Sequence, residues 1–180
     1  MTIQYNGILR ALVAAIILAA LSTLGDFLWA HHGIKHRMFA GILHGALLCL
    51  CLGAVLGYSG KTTQTILLGA LGGLVLGILS AGGYYLMRPF IRANAIVVAW
   101  MELWILAALL HWWVNTISES LKRTLLRGIL AAVTSGLAFL ILGIWTRHAL
   151  GGPHYLYKLL SWTIAFLPGF LALFVTRKTD

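Results

Sequence analysis

Six long apolar runs dominate this chain, at residues 8–30, 39–58, 66–87, 93–114, 128–146 and 156–175. Each is close to the roughly 20 apolar residues that a helix needs to cross the hydrocarbon core of a bilayer. Inside a bilayer no water pairs with backbone groups, and only a helix satisfies its N–H and C=O groups within one segment. The expected fold is therefore all-α: an integral membrane bundle of six transmembrane helices with short loops, forming a single domain over residues 1–180. The longest connection, 115–127, is too short to hold a second domain. Charged residues make up only 9% of the chain, against about 25% in a soluble domain. The first run could pass for a secretory signal, but signal h-regions are shorter, about 7–15 residues, and end at small residues. This run ends at Asp26-Phe27-Leu28-Trp29, followed by His31 and His32, and is expected to be an uncleaved helix.

Thirteen Lys and Arg against four acids give a net charge of +9. The basic residues stand singly or in pairs at the ends of the apolar runs, where they meet lipid phosphates. They form no basic surface of the kind that reads nucleic acid, so no nucleic-acid partner is expected. Arg10, Lys61, Lys122, Arg123, Arg127, Arg177 and Lys178 fall on the side that holds both termini. Lys35, Arg37, Arg88, Arg92, Arg147 and Lys158 fall on the other, with most of the histidines. The positive-inside rule then places both termini in the cytoplasm. Cys49 and Cys51 lie two apart within one run, so they point to different helix faces and serve as small apolar fillers.

Gly69, Gly73 and Gly77 recur every four residues in the third run, and Gly53 and Gly57 repeat the spacing in the second. Such a face either lets two helices approach closely or leaves a smooth groove for an acyl chain. Arg88-Pro89 is expected to end the third helix, because a residue before proline is pushed away from the helical region. Gly151-Gly152-Pro153 reads as a turn. Pro168-Gly169 interrupts the sixth run, where a proline frees the carbonyl one turn earlier and kinks the helix.

Glu102 is the least expected residue, near the middle of the fourth run. An ionised carboxylate at that depth costs about 2.5–3.5 kcal/mol or more, so the side chain should face the bundle interior or be neutral. Trp100, Trp104 and His111 share one stripe of this helix, and Glu102 shares another with Leu106 and Leu109. The candidate ligand-binding residues are Glu102, Trp100 and Trp104, the glycine face Gly69, Gly73 and Gly77, and Asp26 near the end of the first helix. Asp26 with His31, His32, His36 and His44 has the donor types of a divalent-metal site. Its spacing matches no metal signature such as H-E-x-x-H, and no metal or cofactor is expected. Ser22, Asp26 and the histidines lack the nucleophile elbow and oxyanion loop of a hydrolase, so a non-enzymatic role is expected.

Residues 106–175 contain Leu106-Ala107-Ala108-Leu109, Trp112-Trp113, a polar connection, a long apolar helix, Gly152-Pro153-His154-Tyr155-Leu156-Tyr157 and Ser161-Trp162, in that order. This stretch resembles the insulin-induced-gene (Insig) membrane proteins. Six helices, short loops and cytoplasmic termini agree with that family, and the first three helices agree in hydropathy and spacing. The chain departs from the family at Arg88-Pro89-Phe90-Ile91-Arg92, which replaces an acidic stretch, and at Phe39-Ala40-Gly41-Ile42-Leu43, which replaces a Trp-Trp-x-Pro-Pro element. The resemblance implies a non-enzymatic bundle with an intramembrane cavity for a lipid, either sterol-like or, in a bacterial relative, a diacylglycerol or phospholipid.

The expected function is thus lipid binding in a bacterial cytoplasmic membrane, with a membrane lipid as ligand and a second copy or another membrane protein as possible partner. The alternative is the substrate-binding membrane component of a vitamin or metal transporter. In that reading Ala11, Ala14, Ala15 and Ala19 would form a face that docks a partner helix. A membrane enzyme or metalloprotein built on Asp26 and the histidines is a third reading.

Overall fold

The computed structural model describes residues 5–31, 36–115, 119–149 and 155–175. The turn expected at Gly151-Gly152-Pro153 lies outside these residues, as do His32, Lys35, His154, Arg177 and Lys178. Six helices occupy the described chain: α1 Tyr5–His31, α2 Arg37–Gly57, α3 Thr63–Ile91, α4 Ala95–Val114, α5 Leu121–Ala149 and α6 Tyr155–Phe174. All six are long and apolar enough to cross a bilayer, and each covers one apolar run of the sequence to within two residues at either end of the run. The chain is an integral, multi-pass membrane protein with an all-α fold.

Two boundaries differ from the sequence expectation by more than three residues. α3 does not end at Arg88-Pro89 but continues to Ile91. The proline removes a single ladder bond, and the last turn is still held, because the Arg92 N–H donates to the Arg88 carbonyl. Arg92 stops the helix with a left-handed φ of 53°. α5 begins at Leu121, well before the expected residue 128. The Ser120 hydroxyl accepts the Arg123 N–H at 3.4 Å, capping the start of the helix. Lys122, Arg123 and Arg127 are good helix formers, and the two arginines are held by Glu119.

α2 and α3 form the closest helix pair. They run antiparallel from a tight turn, in which Tyr58–Gly60 form one 3-10 turn and Lys61 takes a left-handed φ of 58°. The Thr62 hydroxyl then accepts the Thr65 N–H at 3.1 Å and begins α3 with a capping box. Along the pair, Gly53 lies against the Gly69 and Gly73 backbone, Gly73 against Cys49 and Gly53, and Gly77 against Gly45. A Cβ on Gly53, Gly69, Gly73 or Gly77 would collide with the opposite main chain. Small residues let backbones approach in this way, and in lipid such close packing replaces the hydrophobic effect as the force between helices.

The remaining neighbours follow the chain: α3 on α4, α4 on α5, and α5 on α6. α1 then closes on α6 and touches α2 only sparingly. Inside this arrangement runs an aromatic column. Trp162, Phe166, Phe170 and Phe174 recur every four residues on α6 and meet Trp100, Trp104 and His111 of α4. Trp100 also stacks on Phe139 of α5 at 4.9 Å. Its indole N–H donates to the Ser135 hydroxyl at 3.0 Å, and that hydroxyl donates to the Ala165 carbonyl at 2.5 Å. This links α4, α5 and α6 one turn before Pro168. Gly169 supplies the space in which the Trp104 ring lies, since a Cβ there would overlap the indole.

Candidate functional site

α1 cannot serve α2 and α6 equally. Ala11, Ala14, Ala15, Leu18 and Ala19 are buried within the bundle, and Gly7 rests on the Phe174 carbonyl. The small-residue face of α1 is thus taken up inside the chain and is not left free for a partner helix. α2 is committed to α3 through its glycines. Near one membrane face α1 and α2 still meet, because Gly25 leaves room for the His44 ring. Toward the other face, at the level of Tyr58, they stand apart.

The gap is a cleft of about 500 Å³ between Leu9, Arg10, Val13, Ala14 and Ile17 of α1, Ala54 and Val55 of α2, and Tyr58 of the turn that follows α2. Ser59, Ile66 of α3 and Phe174 of α6 complete its wall. Leu9, Val13, Ile17 and Tyr58 are each more than two-fifths exposed, so the cleft opens sideways toward lipid. Arg10 is the one charged residue among the described residues of the wall.

The residues predicted from sequence lie elsewhere and do not form one site. Trp100 and Trp104 are buried in the aromatic column. Gly69, Gly73 and Gly77 are covered by α2, so close packing and not an open groove accounts for their spacing. Trp100 and Gly77 do share a second cavity, of about 190 Å³, between α2, α3 and α4, together with Ser80, Tyr84 and Leu103. Glu102 is half-buried at the seam of α3 and α4, on the other side of α4 from the column, as its stripe required. Its Oε2 sits 3.1 Å from the position of a Cβ on Gly83. Asp26 ties α1 to α6: its Oδ2 accepts the Trp162 indole N–H at 3.2 Å and pairs with Lys158 Nζ at 3.5 Å. Among the described residues no group of three or more His, Cys, Asp or Glu is placed to hold a metal ion.

Sequence reasoning passed over the cleft. Arg10 had counted only as a charge for orientation. One signal was available: Arg10, Val13, Ala14 and Ile17 fall on one helical face, so an arginine heads an apolar stripe near a helix end. No family model matches the chain, and searches of curated proteins and solved structures return no match, so the geometry alone carries the functional reading.

Proposed function

We propose that this protein is a non-enzymatic, lipid-binding membrane protein that takes an acyl chain of a bilayer lipid into the cleft between α1 and α2. The carrying observation is that cleft: about 500 Å³, apolar walls and a lateral opening. Ligand sites usually measure about 300–1,000 Å³, which favours this cleft over the 190 Å³ cavity behind Trp100. In this reading the chain sits in a bacterial cytoplasmic membrane with both termini in the cytoplasm, so the cleft opens to the cytoplasmic leaflet. The reading coincides with what the resemblance to Insig proteins implies.

Filling the cleft tests it. Ala54 is part of the wall and only half-buried. Ala54→Trp is expected to displace the lipid that co-purifies with the protein, as counted by native mass spectrometry, while thermal unfolding in detergent stays near that of the parent. Glu102→Gln, at the distant α3–α4 seam, is expected to leave retention unchanged. Full lipid retention by a folded Ala54→Trp variant would remove the cleft as the site. Loss on Glu102→Gln instead would move the site to α4.

A further inference from the structure

An acyl chain gains little by leaving lipid for an apolar cleft, because lipid tails are already as apolar as leucine. Selective retention therefore needs a polar contact, and the cleft wall offers one. Resting on the lipid-binding reading above, we propose that the cleft selects an anionic glycerophospholipid, whose phosphate is held by Arg10 with Lys61 beside it.

Four observations point to an anion. Arg10 lies in the second turn of α1, close to a membrane face. From that depth an arginine stem lies along apolar surface while its guanidinium reaches the headgroup level. Arg10 is exposed and takes part in none of the ion pairs among the described residues, which use Arg123, Arg127 and Lys158. Among the described residues no carboxylate lines the cleft. Lys61 follows directly on the Tyr58–Gly60 turn, whose Tyr58 and Ser59 belong to the wall, and it is exposed. Among the described residues the rim thus presents Arg10 and a serine hydroxyl with no compensating acid, and Lys61 follows that serine closely in the chain. Guanidinium groups bind phosphate in bidentate fashion. A zwitterionic lipid brings its own cation against the same rim, and a diacylglycerol brings no phosphate at all.

The test uses the full chain in vesicles made of equal parts phosphatidylglycerol, phosphatidylcholine and diacylglycerol, with retained lipid identified by native mass spectrometry. Each basic residue near an anionic headgroup is expected to contribute about fivefold in retention. Phosphatidylglycerol should exceed phosphatidylcholine and diacylglycerol, Arg10→Gln should remove about fivefold of that preference, and Arg10→Lys should restore only part of it, the charge without the bidentate fork. Equal retention of phosphatidylglycerol and diacylglycerol by the parent protein would overturn the proposal, and so would an unchanged preference in Arg10→Gln. If Ala54→Trp still abolishes lipid binding in either of those cases, the cleft stands and only its headgroup selection falls. If anionic preference survives Ala54→Trp, Arg10 acts on surface lipid and the cleft does not select.

Discussion

Arg127→Ala is expected to destabilise the protein by about 3–5 kcal/mol, the loss typical of breaking a buried ion pair from one side. Arg127 makes three kinds of contact at once. Its Nε donates to the Ala172 carbonyl at 2.9 Å, and a terminal nitrogen donates to the Leu173 carbonyl, so it satisfies orphan carbonyls at the end of α6. The other terminal nitrogen pairs with Glu119 Oε2 at 3.0 Å, and both side chains are less than one-sixth exposed. Removing it leaves a largely buried carboxylate with only Arg123 at 3.7 Å, a residue that is two-thirds exposed. It also takes away the Arg127 donors from the Ala172 and Leu173 carbonyls. Arg127→Lys should recover only part of the loss, since a single ammonium cannot reproduce the planar fork. Glu119→Gln should cost much less than Arg127→Ala, because the amide oxygen still accepts from Arg127. Reversible unfolding in detergent with increasing dodecyl sulfate measures all three. A loss below about 1 kcal/mol for Arg127→Ala, the range of a surface pair, would contradict this description of the α5–α6 end.

The second large effect is expected at the glycine seam. A leucine at Gly73 must pass the Cys49 carbonyl and the Gly53 Cα, both main-chain atoms with no rotamer to yield. Overpacking a filled interior costs about 1–3 kcal/mol when side chains can adjust. Here the helices themselves must separate, so Gly73→Leu is expected to exceed that range and to open the α2–α3 pair. Gly82→Leu is the matched control, on the same helix. A Cβ there meets nothing within 4 Å, and leucine has the better helix propensity by most of a kilocalorie, roughly 0.8 kcal/mol. Thermal unfolding of the two variants side by side should show a large loss for the first and none for the second. Equal behaviour would mean that the seam is not closely packed.

The parts of this fold that depend on local chemistry could be read from the chain. Six helices follow from six apolar runs, because backbone satisfaction in lipid leaves no other option. The split of α4 into a Trp100, Trp104 and His111 face and a Glu102 face follows from helical periodicity alone. What depended on pairing could not be read. The face of Gly69, Gly73 and Gly77 was visible, yet its match to Gly45 and Gly53 is a fact about two helices. Gly41 and Gly45 escaped notice because Cys49 interrupts their spacing with Gly53. The early start of α5 was hidden by hydropathy, since Lys122, Arg123 and Arg127 look like loop until Glu119 is seen to neutralise two of them. Above all, nothing local says that α1 docks on α6 and leaves α2. That choice creates the cleft and turns Arg10 from a topology marker into a candidate headgroup contact.

The central claim, a lipid chain seated between α1 and α2, is tested most directly by photolabelling in the bilayer. A phospholipid carrying a diazirine in its acyl chain would be incorporated into vesicles with the full-length protein, irradiated, and its sites of attachment mapped by peptide mass spectrometry. Labelling is expected at Val13, Ile17, Ala54 and Val55, and it should be lost when excess unlabelled phosphatidylglycerol is added. Labelling is also expected at outward residues such as Leu71, Val75 and Leu137, which are more than half exposed, but there it should fall only in proportion to dilution. Cleft residues that label no differently from those outward faces would contradict the central claim.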